Sequence, residues 1–400
     1  MRNNEALIDE GNTPNAGAEG VPPVAAGAGD QPVKRTERSA YVASQWKLMW
    51  WKFRRHKLAM AGLVIVILLY LVAIFAEMIA TRDPGLVNAA YTYAPPQRLG
   101  LFREEDGERV FGLHVLGYKS EIDLETMARS FTIDEEQVVP VGFWVKGFEY
   151  NLFGFIPMDR HLIGPKDPTQ PFYILGADRL GQDLFSRLII GTRISMSIGL
   201  IGVTLSLVLG IVIGGISGYF SGAADTAIQR LIEFLQSIPA IPLWLGLAAA
   251  VPASWSPLRT YFAITIILSV LGWTGLARVV RGRFLSLREE EFVTAARLDG
   301  TGRMRIILRH MLPSFTSHII ASITLAIPAM ILAETALSFL GLGLRSPINS
   351  WGVLLQEAQN IRSVSTAPWL LLPGVMVVIA VVSLNFLGDG LRDAADPYAT

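Results

Sequence analysis

"LAMAGLVIVILLYLVAIFAEMIA", from Leu58 to Ala80, carries a single charged side chain, Glu77. At about 1.5 Å per helical residue the run covers the roughly 30 Å of hydrocarbon in a bilayer, which makes it a first membrane span. Immediately before it, Lys47, Lys52, Arg54, Arg55 and Lys57 interleave with Trp46, Trp50, Trp51 and Phe53. Such a basic and aromatic collar holds a helix end at the cytoplasmic surface. Apolar stretches at about 192–220, 226–252, 259–280, 315–340 and 367–388 bring the expected number of spans to six, with both termini in the cytoplasm. The reading is an all-α polytopic membrane protein of six transmembrane helices, with an extracytoplasmic insertion between helices 1 and 2.

Composition agrees. The chain is 51% hydrophobic and only 17% charged, too apolar for a soluble enzyme of its length. A net charge of zero supplies no overall field to attract nucleic acid. Without cysteine there are no disulfides, thiolate metal sites or cysteine nucleophiles. Residues 1–45 include "GNTPNAGAEGVPPVAAGAGDQP", which has too little apolar content to offset the entropy of ordering, so a disordered cytoplasmic tail is expected there; it lacks the pattern of a signal peptide. Residues 46–80 form the collar and first helix, 81–190 the insertion, and 191–400 a five-helix core with a cytoplasmic loop at about 284–313. The insertion's short aromatic and β-branched runs, punctuated by Gly and acidic residues, suggest a small β-rich or mixed subdomain. "DLFSRLIIGT", Asp183 to Thr192, puts Leu184, Phe185, Leu188 and Ile189 on one helical face. It reads either as an interfacial helix or as a short buried one.

Candidates for chemistry are few. No phosphate-binding loop ending in Gly-Lys-Ser/Thr occurs, so nucleotide hydrolysis and catalytic residues are not expected in this chain. The histidines at 56, 114, 161, 310 and 318 include no i, i+4 pair, and no metal site is expected. Glu77, Arg230, Glu233, Arg278, His318 and Glu334 fall inside spans; they either snorkel and pair at the interface or line a path. Gly210, Gly214, Gly218 and Gly222 recur every four residues, a stripe that lets a neighbouring helix approach closely. Pro239, Pro242, Pro328 and Pro373 each remove a backbone donor and predict kinks, which belong either to a translocation path or to ordinary bundle irregularity.

Between spans four and five lies "EFVTAARLDGTGRMRIILRHMLPS", Glu291 to Ser314, and Arg281 to Arg309 contribute seven arginines to this region, which places it in the cytoplasm. Ser286 and Glu289 have capping-box spacing and predict a helix start. That helix is expected to carry Phe292 and Ala296 on one face, with Val293 and Ala295 beside them, and to stop near Gly300. Adjacent alanines make its surface shallow enough for a groove. Met304, Ile307, Leu308 and Met311 then follow the i, i+3, i+4, i+7 pattern of a second helix, ended by Pro313.

The spacing resembles the cytoplasmic signature of ABC importer permeases: Glu-Ala-Ala, three residues, Gly, nine residues, Ile-x-Leu-Pro. Ala295, Ala296, Gly300, Leu312 and Pro313 match it, while Thr294 replaces the glutamate and His310 the isoleucine. "LGADRLGQDLFSRLIIGTRISMSIGL", "LSFLGLGLRSPINSWGVLLQEAQN" and "FLGDGLRDAADP" resemble the second permease of the dipeptide, oligopeptide and nickel group. The likeness covers the first span and everything from about 174 onward, and leaves out about 100–170.

The resemblance implies a type I ABC importer permease fold in a bacterial cytoplasmic (inner) membrane. It also implies a second, different permease, two ATPase subunits or domains that use ATP and Mg, and an extracytoplasmic binding protein that delivers oligopeptides. Phe292, Ala295, Ala296, Gly300, Leu312 and Pro313 are then the ATPase-coupling loop, and the insertion is a candidate surface for the binding protein, with Tyr118 and Phe148 as probe positions. The same machinery with oligosaccharides as cargo is one alternative; a membrane-anchored ligand-binding or sensory protein that does not transport is another.

Overall fold

The computed structural model describes residues 45–105, 108–122 and 129–395; the expected disordered tail lies outside them. Helix α1 (Gln45–Arg55) is the collar, with Trp46 and Trp50 exposed and Phe53 turned into the core. His56 separates it from α2 (Lys57–Ile74) and caps that helix by accepting from the Ala59 amide at 3.0 Å. Ala59, Gly62, Val66, Leu69 and Ala73 pack inward, while Val64, Ile67, Leu68, Leu71 and Ile74 form an exposed apolar stripe. A stripe that would be unfavourable in water is the expected face toward lipid. After the short α3 (Ala76–Ile79) the chain enters the insertion, and it returns in α4 (Leu184–Phe220), a 37-residue helix about 55 Å long.

The next segment settles the number of crossings. Helices α5 (Gly222–Ser237) and α6 (Ala240–Ala249) meet at a bend of 84°, which on its own fits a broken span or a re-entrant loop. Helix α7 (Pro257–Leu287) decides between them. Tyr261 donates to Ser197 Oγ at 3.0 Å, Ser269 to the Gly202 carbonyl at 3.0 Å, and Arg288 to Ser221 Oγ at 2.8 Å. Partner numbers rise together, so α4 and α7 are parallel and cross in the same direction. The chain between them must return, so α5 and α6 together form a crossing. Helices α9 (Thr316–Phe339) and α11 (Leu372–Ala395) complete six. Gly390 near the end of α11 lies against Ala59 at the start of α2, so these two helix ends share one side.

The bend falls where Pro239 precedes α6, as a residue without a backbone donor predicts; Pro328 is contained within α9. Close approach of α4 to α7 depends on glycine. A Cβ at Gly214 would lie 2.8 Å from Ala277 Cα, one at Gly218 2.7 Å from the Arg281 carbonyl, and one at Gly210 3.0 Å from Leu276. Gly222 corrects the expected stripe: a Cβ there meets nothing within 4 Å, and its φ of +64° shows that it turns the chain between α4 and α5.

The insertion is a four-stranded antiparallel meander in the order β1 (Leu99–Glu105), β2 (Glu108–Ile122), β3 (Arg129–Leu152) and β4 (Ile156–Pro165). Val115, Val139, Val141 and Phe172 form its small core. Tyr118 packs with Tyr91 and Phe131, and Phe148 lies against His161, so neither is a freely presented probe. Phe111, Phe143 and Phe155 are the most exposed aromatics among its described residues, each more than 70% accessible.

Buried polar groups join the insertion to the bundle. The segment from Asp183 to Thr192 is neither interfacial nor a separate short helix but the beginning of α4. Its polar side chains are buried together with its apolar ones: Ser186 and Arg187 are 0% and 2% exposed. Arg187 pairs with Asp178 and, at 3.0 Å, with Glu357 at the end of α10 (Trp351–Glu357), and donates to Asn349 at 2.9 Å. Burial raises the carboxyl of Asp183 above its ordinary range, opposed by hydrogen bonds from Ser186 and Thr81.

Inside the spans, Glu77 pairs with Arg193, and Arg230 with Glu233 at 2.9 Å; Arg278 is exposed, and the His318 side chain lies outside the described residues. Glu334 neither snorkels nor pairs at an interface. It is wholly buried and accepts from Ser338 and Ser350 at 2.8 Å and from Ser195 at 3.4 Å, which satisfies a group that would otherwise be costly to bury.

Candidate coupling loop

The loop is built at the end of α7. The apolar side chains Val280 and Phe284 are fully buried and carry that helix through Ser286 to Leu287. The capping box expected from Ser286 and Glu289 therefore does not form. Glu289 instead accepts from Arg288 at 2.9 Å, and helix α8 (Glu291–Leu298) starts after Glu290 without a side-chain cap. Glu291 in its first turn and Arg297 in its last complement the helix dipole.

The end of α8 is a Schellman motif. The Gly300 amide donates to the Arg297 carbonyl and the Thr301 amide to the Ala296 carbonyl, both at 3.0 Å. Gly300 has φ +72° and open space where a Cβ would stand, so backbone conformation alone selects glycine.

Beneath the loop, Tyr219, Val280, Phe284, Val293, Ala296, Ile306 and Met311 form one buried cluster continuous with Phe315 and Ile319 near the start of α9. Ala296 is 7% exposed and packs into this cluster with Val293, whereas Phe292 and Ala295 are exposed. The outward surface of α8 is thus Phe292, Thr294, Ala295 and Leu298, with Leu298 85% exposed. One alanine of the expected pair belongs to the core and one to the surface.

The second half of the loop departs from a simple helix. Arg303–Arg305 is α-helical, Ile306–Met311 takes the wider π form, and Leu312–Ser314 returns to α. A π turn bonds residues five apart. Ile306 and Met311, five apart, are both fully buried, whereas Met304 and Leu308 are exposed, so the expected face of Met304, Ile307, Leu308 and Met311 does not form. Pro313 sits in the first turn of the last short helix rather than ending the second one; it is exposed and Leu312 is half-buried.

Cationic side chains bind the loop to α4. The Arg297 guanidinium lies 5.4 Å from the Tyr219 ring centre and that of Arg303 lies 5.6 Å from Phe220, both within cation–π range. One link was not anticipated from the sequence: Arg281 of α7 donates twice to Asp225 of α5, at 2.5 Å for each bond. Asp225 is an isolated acid beside a glycine stripe, and that was the available signal. The ends of α4, α5, α7 and α9 and the loop itself therefore form one packed unit.

Two parts of the chain match families of known proteins. A family described as binding-protein-dependent transport system inner membrane component matches residues 210–399, and one described as the N-terminal TM domain of oligopeptide transport permease C matches residues 44–96. The chain is 37% identical to the oligopeptide transport system permease protein OppC of Haemophilus influenzae over 61% of its own length and 76% of that protein's. It is 29% identical to OppC of Bacillus subtilis over 94% and 95% of the two lengths. With the dipeptide transport system permease protein DppC of the same organism it shares 35% identity over 58% and 70%. A chain from a solved structure of inward-facing conformations of the MetNI methionine ABC transporter is similar over 52% of this chain and 96% of its own, with 17% identity and a TM-score of 0.41. With six crossings, a transport-component match across the helical core and long-range likeness to such permeases, the chain belongs to the binding-protein-dependent transport permeases, multi-pass components of the membrane.

Proposed function

We propose that this chain forms half of the translocation path of an ATP-driven importer for oligopeptides, beside a second permease, and that it couples to ATPase subunits through α8. The observation that carries the reading is the outward face of α8. Phe292 and Leu298 stand exposed on a short helix whose opposite face is anchored in the cluster beneath it. Exposed apolar knobs on a rigid mount are suited to entering a partner's groove. The basic residues of the loop and collar support a cytoplasmic position for both, where ATP and Mg are available to the ATPases. The permease itself performs no bond chemistry.

Peptides are the favoured cargo because the similar proteins are oligopeptide and dipeptide permeases. Delivery by a binding protein, with the insertion on the opposite side as its docking surface, completes the scheme. The test is reconstitution of the chain with its neighbouring transport subunits in vesicles. Uptake of labelled oligopeptides that requires ATP and the binding protein is expected, and Phe292→Asp is expected to abolish it while leaving the permease inserted. ATP-dependent uptake of oligosaccharides but not peptides would overturn the cargo, and normal uptake by the variant would overturn the role of α8.

A further inference from the structure

The tip of the β3–β4 hairpin, Leu152 to Ile156, lies beside the end of the first span. Leu152 pairs with Ile156, and Phe153, Gly154 and Phe155 make the loop between them. The hairpin is fixed in place at two points, its tip and the body of β4. The Phe153 ring stands 5.8 Å from that of Phe75, the residue that follows α2, and the buried His161 of β4 has one ring nitrogen 3.0 Å from the Glu77 carbonyl and the other 3.0 Å from that of Phe148. Arg193 of α4 donates to the Ala73 and Ile74 carbonyls and pairs with Glu77, which fixes the end of α2 in turn.

The residues at this tip are unusual for a hairpin loop in water. Phe153 is 51% exposed, Phe155 74% and Ile156 40%, and no charged residue occurs between Glu149 and Asp159. Phe153 also has φ +55°, a left-handed conformation that glycine or asparagine adopts at less cost than a bulky side chain. Neither the turn nor the sheet's own core accounts for phenylalanine there. The position does, because the lipid-facing stripe of α2 ends at Ile74, next to Phe75, and Phe153 continues that surface beyond the span. Charged residues resume only beyond the rows that pair Tyr150 with Met158, Asn151 with Pro157 and Leu152 with Ile156, about 10 Å from the tip at the usual strand rise. That is comparable to the depth at which apolar groups enter the headgroup and acyl boundary.

We infer that the Phe153–Ile156 tip is a membrane anchor, an aromatic wedge that enters the lipid surface at the end of the first span and holds the sheet against the bilayer. The partner it fits is the lipid interface itself, since aromatic side chains favour the headgroup level and the tip is continuous with a surface already in lipid.

The chain has no cysteine, so single labels can be placed in the full-length protein. Phe155→Cys, with Ile156→Cys as a second position, would carry an environment-sensitive fluorophore in nanodiscs made with brominated lipid. Val64→Cys on the α2 stripe serves as the lipid reference and Phe111→Cys on the exposed part of β2 as the aqueous one. The expected result is that both tip labels lose as much fluorescence to brominated lipid as the Val64 label and are shielded from iodide. Tip labels quenched by iodide like that at Phe111, or shielded from both quenchers by protein, would overturn the anchor.

Discussion

Replacing Leu298 by alanine tests the docking face of α8 without disturbing the fold that presents it. The side chain is 85% exposed, so the permease has little to lose, and its own stability should change by no more than about 0.5 kcal/mol, as for other surface substitutions. Moving a leucine side chain from water into a partner's groove stabilises by about 1.5–3 kcal/mol. Alanine retains part of that contact, so an expected loss of about 2 kcal/mol corresponds to roughly 30-fold weaker ATPase binding. Titration of the ATPase subunits against the permease in nanodiscs reads this as a shift in Kd, and thermal unfolding of the permease alone reads the control. Leu308→Ala, on the exposed part of the π segment, should move neither. An unchanged Kd for Leu298→Ala in a stably folded protein would refute the assignment of this face, and a large fall in permease stability would refute the premise that Leu298 is free of its own fold.

Four further outcomes are expected. Gly214→Leu should destabilise the bundle by about 1–3 kcal/mol through overpacking against the Ala277 backbone, whereas Gly222→Asn should be nearly silent; thermal unfolding in detergent compares them. Gly300→Ala should cost about 1–2 kcal/mol of backbone strain and speed hydrogen exchange at the Thr301 amide, with Gly300→Asn milder. Glu334→Ala should cost on the order of 3 kcal/mol by leaving buried serine hydroxyls without their acceptor, and Glu334→Gln distinctly less. Burial, opposed by Arg187, raises the carboxyl of Glu357 above its ordinary range. The folded state therefore holds this proton to higher pH than the unfolded chain, and the group's contribution to stability falls as pH rises from about 4.3 through the higher folded-state value. Glu357→Gln should flatten that part of the dependence of Tm on pH.

The spans were legible because lipid leaves a simple demand on sequence: about twenty apolar residues without interruption, as in Leu58 to Ala80. Gly300 was legible for an equally local reason, since few residues other than glycine accept its backbone angle. The break between α5 and α6 was legible only as a kink at Pro239; its size was not, because Ile238 and Ala240 keep the run apolar while the direction changes by 84°. Periodicity misled where both faces of a helix are covered: Ser186 and Arg187 look like a solvated side and are buried. It misled again from Ile306 to Met311, where a π turn replaces the repeat of 3.6 on which the expected face was drawn. For Ala296, the choice between an outward and an inward face depended on Tyr219 and Ile306, which approach only in the folded chain.

Helix α4 is a continuous shaft. One end is fixed to the insertion by Asp178 and Arg187, the other to the coupling loop by Tyr219 and Phe220 beneath Arg297 and Arg303, with no proline among its 37 residues. A rod about 55 Å long that tilts by about 10° around its middle carries its two ends roughly 5 Å in opposite directions. Whatever tilts this shaft from one surface is felt at the other as displacement, with no proline break in between to absorb the stroke.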